Sequence, residues 1–216
     1  MPASDSDRPV SRGAEATLHL VEWLGLPALR KDRETKSYRP KNLDERLKRE
    51  RTRNEVRLLT EARRLGVRTP IVYDIDLPQH RLILEQLPGP TLKELLDAAR
   101  EDPGAVEPAV RTLGVAIGRL HAGGISHGDL TSSNILYPQG PTGPLALLDL
   151  SMGARNAGIE EKGIDLHLVE EDIKALHPRG ELLFRAFLDG YGEGNPQGQA
   201  EVRKRAREIR GRVRYA

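Results

Sequence analysis

Residues 126–136 read SHGDLTSSNIL, and the apolar run LALLDLSMG follows at 145–153. The first stretch places Asp129 and Asn134 five positions apart, and the apolar part of the second ends on Asp149. Asp, Ser and Asn are common in turns because their side chains bond nearby backbone groups. Carboxylate and amide oxygens are also the hard ligands that hold magnesium beside a phosphate. These residues therefore predict either a local turn or a metal and phosphate site.

The composition is that of a globular protein and excludes several kinds of site. Hydrophobic residues make up 38% and charged residues 31% of the 216 residues. Apolar stretches fall well short of the roughly 20 residues that a membrane-spanning helix needs, and the start of the chain, MPASDSDRPVSRG, has no apolar signal core. Because cysteine is absent, disulfides, thiolate metal sites and cysteine nucleophiles are excluded. We expect a cytoplasmic protein without membrane contact.

Basic residues are unevenly distributed although the net charge is only +2. Residues 201–214, EVRKRAREIRGRVR, carry seven Lys or Arg residues against two Glu. Such a segment can attract phosphate or an acidic partner, or it can be the solvated face of a helix. The preference for Arg over Lys in the whole chain agrees with biased codon usage or heat adaptation. A uniformly basic nucleic-acid-binding protein is not indicated.

Hydrophobic periodicity predicts strands in the first third of the chain and helices in the remainder. The expected strands are ATLHLVEWL, IVYDIDL, RLILEQL and LALLD, and the expected helices cover 43–65, 91–100, 107–121, 165–177, 180–191 and 197–209. Asp44 is the predicted N-cap of the first helix and Gly66 its stop, and Thr91 and Glu94 have capping-box spacing. Residues 88–90, Pro-Gly-Pro, separate the two parts like a hinge. An α+β protein with two unequal lobes and a ligand cleft between them is predicted.

The polar loop matches the spacing of a phosphotransferase. Residues 127–134 keep the protein-kinase pattern H-x-D-L-x-x-x-N, and Asp149-Leu150-Ser151 stands where D-F-G follows. Phosphoryl transfer needs metal ions on the phosphates and a base aligned with the acceptor. Asn134 and Asp149 are therefore candidate Mg2+ ligands, and Asp129 is a candidate base. An aspartate at the end of an apolar strand makes turn chemistry alone a poorer interpretation.

A kinase also needs a lysine and a glutamate upstream of the catalytic loop. Lys31 follows the apolar run LPALR, and Glu55 lies in the middle of the predicted 43–65 helix. Both occur in the required order, before the hinge and the loop. The nucleotide loop is the weakest part, because residues 13–16 have one glycine where the usual G-x-G-x-x-G pattern has three.

These residues resemble one family, the small atypical kinase of the KEOPS (EKC) complex, also called PRPK, in its archaeal type. The motifs that carry the resemblance cover nearly the whole chain: R-G-A-E-A at 12–16, K-x-R-x-x-K-x-Y-R-P at 31–40, L-D-x-x-L-x-x-x-R-T-R-N-E at 43–55, S-H-G-D-L-T-S-S-N at 126–134, E-K-G-I-D-L-H-L-V-E at 161–170 and R-G-R-V-R at 210–214. The resemblance implies a compact two-lobed protein-kinase-like fold. Its small N-lobe, 11–87, would hold a sheet and one long helix, its reduced helical C-lobe would span 88–202, and a basic tail would follow at 203–216.

The resemblance also implies a function. Members of the family are Mg2+- and ATP-dependent serine/threonine kinases and ATPases that support formation of threonylcarbamoyladenosine at position 37 of tRNA. The implied partners are the threonylcarbamoyltransferase subunit, a second small KEOPS subunit on the N-lobe, and tRNA contacted by the basic tail. Matched by motif, the implied site consists of Asp129 as catalytic residue, Asn134 and Asp149 as Mg2+ ligands, Lys31 with its partner Glu55 for the phosphates, Gly13, Ala14, Glu15 and Ala16 as nucleotide loop, and Glu85 to Leu87 for adenine. Asp165 would brace the catalytic loop or cap a helix.

Three departures from the kinase pattern favour an ATPase that drives a partner over a kinase that selects protein substrates. Leu150-Ser151 replaces Phe-Gly, no arginine precedes Asp129, and no A-P-E motif follows. The alternatives in the same enzyme class are a RIO-type ribosome-assembly kinase and a small-molecule phosphotransferase of the aminoglycoside-kinase type. An alternative of another class is a pseudokinase platform that binds tRNA and partners without turning over ATP.

Overall fold

A five-stranded antiparallel sheet forms from the first part of the chain. The computed structural model describes residues 9–12 and 16–213. The strands are β1 Pro9–Arg12, β2 Ala16–Trp23, β3 Leu26–Arg33, β4 Val72–Asp76 and β5 Arg81–Glu85, in the order β1-β2-β3-β5-β4. Lys31 lies on the central strand, paired with Leu18 on one side and Leu82 on the other. The central strand therefore fixes the position of this candidate phosphate-binding side chain.

One long helix, α1 Lys41–Arg64, connects β3 to β4 and buries Leu58, Leu59 and Ala62 in the core. The prediction that Asp44 caps this helix is wrong. The helix begins three residues earlier, after Pro40, and Asp44 lies buried in its first turn with Lys48 Nζ 3.2 Å away. An acidic side chain in a first turn still interacts favourably with the helix dipole. The helix ends before Gly66, as the sequence predicts.

The rest of the described chain is mainly helical. Its helices are α2 Leu92–Ala98, α3 Glu107–Ala122, α4 Ile159–Leu176, α5 Gly180–Gly194 and α6 Gln199–Val213. Two small antiparallel pairs, β6 Ile125–Ser126 with β9 Ala154–Arg155 and β7 Ile135–Leu136 with β8 Ala146–Leu147, frame the polar loop. The predicted capping box of α2 is present, and α4 begins six residues before its predicted start. The α+β prediction is confirmed, with the sheet and α1 on one side of the 88–90 hinge and the helices on the other.

The basic C-terminal segment belongs to a packed helix. Val202, Ala206 and Ile209 are buried along α6, and its arginines pair with α4, Arg205 with Glu160 and Arg210 with Glu170. Residue 203, the expected start of a basic tail, therefore lies inside α6, because Val202, Ala206 and Ile209 recur at helical spacing and bury one side of the segment. Residues 214–216 lie outside the described part. Among the described residues, no helix is both long and apolar enough to cross a bilayer.

Gly89 lies where the chain passes from the sheet to the helices. Its backbone has φ +109°, and a Cβ atom there would lie 2.3 Å from the carbonyl oxygen of Tyr137. Tyr137 is fully buried and donates from its hydroxyl to the Ala109 carbonyl. The hinge therefore requires glycine both for its backbone angles and for this close approach.

We expect Gly89→Ala to lower the free energy of unfolding by about 3 kcal/mol, since backbone strain and a steric clash add. The matched control is Gly140→Ala, where φ is +83° but no atom lies within 4 Å of the added Cβ. It should cost only about 1 kcal/mol, the strain alone. Urea unfolding of both variants measures the difference, and equal losses would contradict the close contact at Gly89.

Candidate active site

A cleft of about 560 Å³ lies between the sheet and the helical part. It combines apolar walls with a few convergent polar side chains, which is typical of sites that bind small molecules. The walls are formed by Leu18, Leu29, Leu59, Leu84, Leu87, Leu136 and Leu148, and the polar groups are Lys31, Glu55, Glu85, Asp129, Ser133, Asn134 and Asp149. Residues that the sequence places far apart therefore line one cavity.

Lys31 connects three parts of the structure. Its Nζ lies 2.7 Å from Glu55 Oε1 on α1 and 3.0 Å from Asp149 Oδ1 after β8. The Lys31 side chain is only 7% exposed, and a buried charge is tolerated when it is paired. An ammonium group has three N–H donors, so two carboxylates leave one donor for a further acceptor in the cleft.

Arg33 is a second buried cation on β3 that the sequence interpretation missed. Its Nε donates to Thr52 Oγ1 over 3.2 Å, and another guanidinium nitrogen pairs with Glu55 Oε2. Glu55 therefore lies between two cations, and α1 is attached to β3 through two residues about one turn apart. The sequence contains a signal for this role of Arg33, because residues two apart on a strand, such as Lys31 and Arg33, point to the same face.

Asn134 and Asp129 are held together inside the polar loop. Asn134 Nδ2 donates to the Asp129 carbonyl over 2.9 Å and to Asp129 Oδ2 over 3.1 Å. Both of these atoms are acceptors, so the NH2 group of Asn134 faces Asp129 and its Oδ1 remains to bind a cation. The Asn134 carbonyl accepts from Leu148 N over 2.9 Å, which ties the loop to the strand that precedes Asp149.

Asp165 braces the loop from beneath. It is fully buried two turns into α4, and its carboxylate accepts from His127 N over 2.6 Å, from Gly128 N over 2.8 Å and from His121 Nε2 over 3.1 Å. Burial alone would raise the pKa of Asp165, but the hydrogen bonds and the neighbouring imidazoles lower it. Of the two roles considered for Asp165, bracing the loop is observed and capping α4 is not.

The imidazole ring of His127 bridges two backbone groups of the site. Its Nε2 lies 3.0 Å from the Leu148 carbonyl, and its Nδ1 accepts from Asp129 N over 3.3 Å. This arrangement requires the neutral ring with its proton on Nε2, and burial accordingly lowers the pKa of His127. The histidine therefore connects the Leu148 carbonyl to the backbone N–H of Asp129 and orients that backbone.

Asp149 has the properties of a cation ligand. Burial alone would raise the pKa of its carboxyl, but Lys31 and the hydrogen bond from Ser151 hold that pKa well below its usual range. Its backbone has φ +50°, a conformation that non-glycine residues adopt mainly at special sites. An ionised carboxylate facing the cleft, with the amide oxygen of Asn134, is a donor set that suits Mg2+.

The segment after Asp149 is held against α1 and the polar loop. Asn54 Nδ2 donates to the Gly153 carbonyl over 2.8 Å and to the Ser151 carbonyl over 3.3 Å, and Leu150 is fully buried. A Cβ on Gly128, which has φ +81°, would lie 2.2 Å from the Met152 carbonyl. This crossing explains why glycine stands where the kinase pattern has arginine.

Of the remaining predicted nucleotide contacts, Ala16, Glu85 and Leu87 line the cleft. Gly13, Ala14 and Glu15 fall outside the described residues, while Ala16 begins β2 and lines the cleft. Glu85 N donates to the Ile71 carbonyl over 2.8 Å, so a nucleotide would have to use other backbone groups of residues 85–87. Leu87 lies on the cleft wall, as expected.

We expect Asp165→Asn to lower the free energy of unfolding by about 3 kcal/mol at neutral pH, because three N–H donors lose an anionic acceptor. The folded pKa of Asp165 is depressed, so its stabilisation is present above the unfolded value of about 3.9 and is lost as pH falls through the folded pKa. The gap between wild type and variant should therefore shrink between about pH 5 and pH 3.

Urea unfolding across this pH range checks the prediction, with Asp189→Asn on the exposed face of α5 as control. A gap that stays constant between these pH values would contradict the buried, ionised carboxylate.

Comparison with known proteins places this arrangement in a family. Residues 21–170 match the lipopolysaccharide kinase (Kdo/WaaP) family. A solved structure, WaaP in complex with acyl carrier protein, has a TM-score of 0.62 and covers 95% of this chain and 88% of that one at 19% identity. At this identity the likeness shows the fold alone, and it confirms the kinase-like architecture.

Curated relatives narrow the family. The KEOPS complex subunit Bud32 of Pyrococcus abyssi is 34% identical to this chain, and the matched region covers 95% of each of the two chains. The EKC/KEOPS complex subunit BUD32 of Gibberella zeae is 33% identical over 94% of this chain and 84% of its own. A probable bifunctional tRNA threonylcarbamoyladenosine biosynthesis protein of Methanosarcina mazei is 37% identical over 96% of this chain, which spans only 35% of that relative. The resemblance in the motifs is confirmed, and the chain belongs to the Bud32 family of KEOPS complex subunits.

Proposed function

We propose that the protein binds Mg-ATP in the cleft and transfers its terminal phosphoryl group, to water or to a Ser/Thr hydroxyl, as the kinase and ATPase subunit of a KEOPS complex. The observation that carries the proposal is the contact of Lys31 with both Glu55 and Asp149, opposite the bonded pair of Asp129 and Asn134. These are the positions that a phosphotransferase needs for charge partner, metal ligands and base.

Each residue has a distinct task in this proposal. The leucines of the cleft walls enclose the adenine ring, and the remaining N–H of Lys31 binds a phosphate oxygen. Magnesium held by Asn134 Oδ1 and Asp149 would neutralise phosphate charge close to the carboxylates. Asp129 is exposed at the cleft and accepts the proton of the attacking hydroxyl or water.

The charges of the cleft make ATP binding dependent on the metal. Two cations, Lys31 and Arg33, are already paired with Glu55 and Asp149, and Asp129 adds a further negative charge. A bare triphosphate placed here would meet more anions than free cations, and this repulsion is strong in a partly desolvated site. We therefore infer that nucleotide and divalent cation bind together.

The short connection after Asp149 supports water over a protein substrate as acceptor. Residues 150–158 lead directly into α4, and Asn54 fixes the carbonyls of Ser151 and Gly153. Such a segment has little length on which to hold a peptide. Serine/threonine kinase activity would then be directed mainly at the protein itself.

The proposed setting is the cytoplasmic machinery that makes threonylcarbamoyladenosine in tRNA. Family membership supports a complex with the transferase subunit and with a second small KEOPS subunit on the sheet. Exposed basic side chains of α6, among them Lys204, Arg207 and Arg212, are available for the tRNA backbone. Contacts of this kind weaken steeply as the salt concentration rises.

We expect Asp129→Ala to reduce phosphate release from Mg-ATP at least ~100-fold, because a general base contributes about this much or more. ATP affinity should be retained, since Lys31 and the apolar walls are unchanged. Rates should be measured for the chain alone and with the transferase subunit and tRNA.

Asp97→Ala is the matched control, since Asp97 is an exposed carboxylate on α2. It should match wild type in every assay. If wild type and Asp129→Ala release phosphate equally slowly under all conditions, the cleft is not catalytic and the chain is a binding platform.

A further inference from the structure

The second half of the catalytic loop is attached to α4 by a carboxylate that the proposed chemistry does not use. The backbone N–H of Ser132 donates to Asp172 Oδ2 over 2.7 Å. Ser132 begins a single 3-10 turn, Ser132–Asn134, and this turn carries the candidate Mg2+ ligand. Asp172 therefore contacts the segment on which Asn134 is placed.

Within the described part of the chain, Asp172 is the side chain that caps the start of this turn. The first N–H groups of a helical turn lack partners within the turn, and a preceding Thr commonly supplies one from its side chain. Thr131 stands in that position with an extended backbone, but its side chain makes no capping hydrogen bond. Ser132 is only 1% exposed, so water cannot easily replace the missing partner. Asp172 takes the place of a local cap from a distant helix.

Asp172 and Asp165 act from the same side of α4. They are seven residues apart, which is two helical turns and a rise of about 10 Å. Asp165 holds the N–H groups of His127 and Gly128, before Asp129. Asp172 holds the N–H group of Ser132, after Asp129. The candidate base therefore lies between two anchors on one rigid helix.

We propose that Asp172 is a positioning residue, which caps the turn of Asn134 and so fixes the contact between Asn134 and Asp129. The backbone N–H of Asn134 donates to the Thr131 carbonyl over 3.0 Å, which closes the turn. In this position the Asn134 side chain contacts Asp129. Loss of the cap loosens this chain of contacts at the metal and the base. Lys31 and the apolar walls are untouched. The activity part of this proposal rests on the proposed function, whereas the capping part does not.

The test uses the full chain and the variants Asp172→Ala and Asp172→Asn. Alanine removes the acceptor, whereas asparagine keeps an oxygen at the same distance along the side chain. Glu171→Ala, at the exposed neighbouring position, is the matched control. Amide hydrogen exchange at Ser132 reports the cap directly, and phosphate release reports kcat and KM for ATP and the Mg2+ concentration at half-maximal rate.

In Asp172→Ala we expect the Ser132 amide hydrogen to exchange at least ~10-fold faster. We expect kcat to fall about 10-fold, because small misplacements of catalytic groups lower the rate of the chemical step. KM for ATP should stay close to wild type, and more Mg2+ should be required. Asp172→Asn should recover most of both effects, and Glu171→Ala should show neither. If Asp172→Ala lost activity through general destabilisation, amide exchange would instead be faster throughout α4, and Asp172→Asn would not restore the activity.

Equal protection of Ser132 in wild type and Asp172→Ala would overturn the proposal, as would faster exchange with unchanged kcat and Mg2+ requirement. If wild type itself releases no phosphate, the proposed function fails. The exchange comparison then decides the capping role alone, with faster exchange in Asp172→Ala supporting it and equal exchange overturning it.

Discussion

Lys31 is the side chain on which the geometry of the cleft depends. It stands on the central strand of the sheet, and its two carboxylate partners come from α1 and from the loop after β8. Without this cation, the buried Glu55 would retain only Arg33, and Asp149 would lose the charge that contributes most to lowering its pKa. Uncompensated buried charges cost several kcal/mol, so this ammonium group holds the sheet, the long helix and the loop of Asp149 together, with Arg33 and Asn54 adding further contacts of α1.

The helical part supplies the opposite wall of the site in a rigid form. Asp165 accepts from His121, whose Nδ1 lies 2.9 Å from the Tyr191 hydroxyl, and Asn195 donates to the same hydroxyl over 3.1 Å. Burial raises the pKa of Tyr191 to about 12, so this hydroxyl stays protonated. The polar network connects α3, α4 and α5 beneath the polar loop. The candidate catalytic side chains of this loop are therefore attached to a hydrogen-bonded group of helices, which is the kind of support that preorganised sites require.

The sequence was sufficient for the parts of the site that local patterns determine. Asp129, Asn134 and Asp149 follow from spacing within one loop and strand, and Lys31 and Glu55 follow from their order along the chain. The bracing role of Asp165 was one of two roles that the family resemblance implied, and Asp172 was not predicted at all. Both depend on how α4 lies beneath the loop, which is a tertiary contact between residues about 40 positions apart. The cap of α1 was misplaced because the helix begins directly after Pro40, before Asp44. The helix predicted over 197–209 continues to Val213, so most of the expected basic tail lies within α6.

The most direct test of the account is a calorimetric titration of ATP into the protein, with and without Mg2+, for wild type and Lys31→Met. The account predicts one ATP bound per chain, a much weaker affinity when Mg2+ is removed, and loss of binding in Lys31→Met, because the remaining cleft charges are mostly negative. Binding that is equally tight without Mg2+, or unchanged in Lys31→Met, would show that the nucleotide does not bind at these residues.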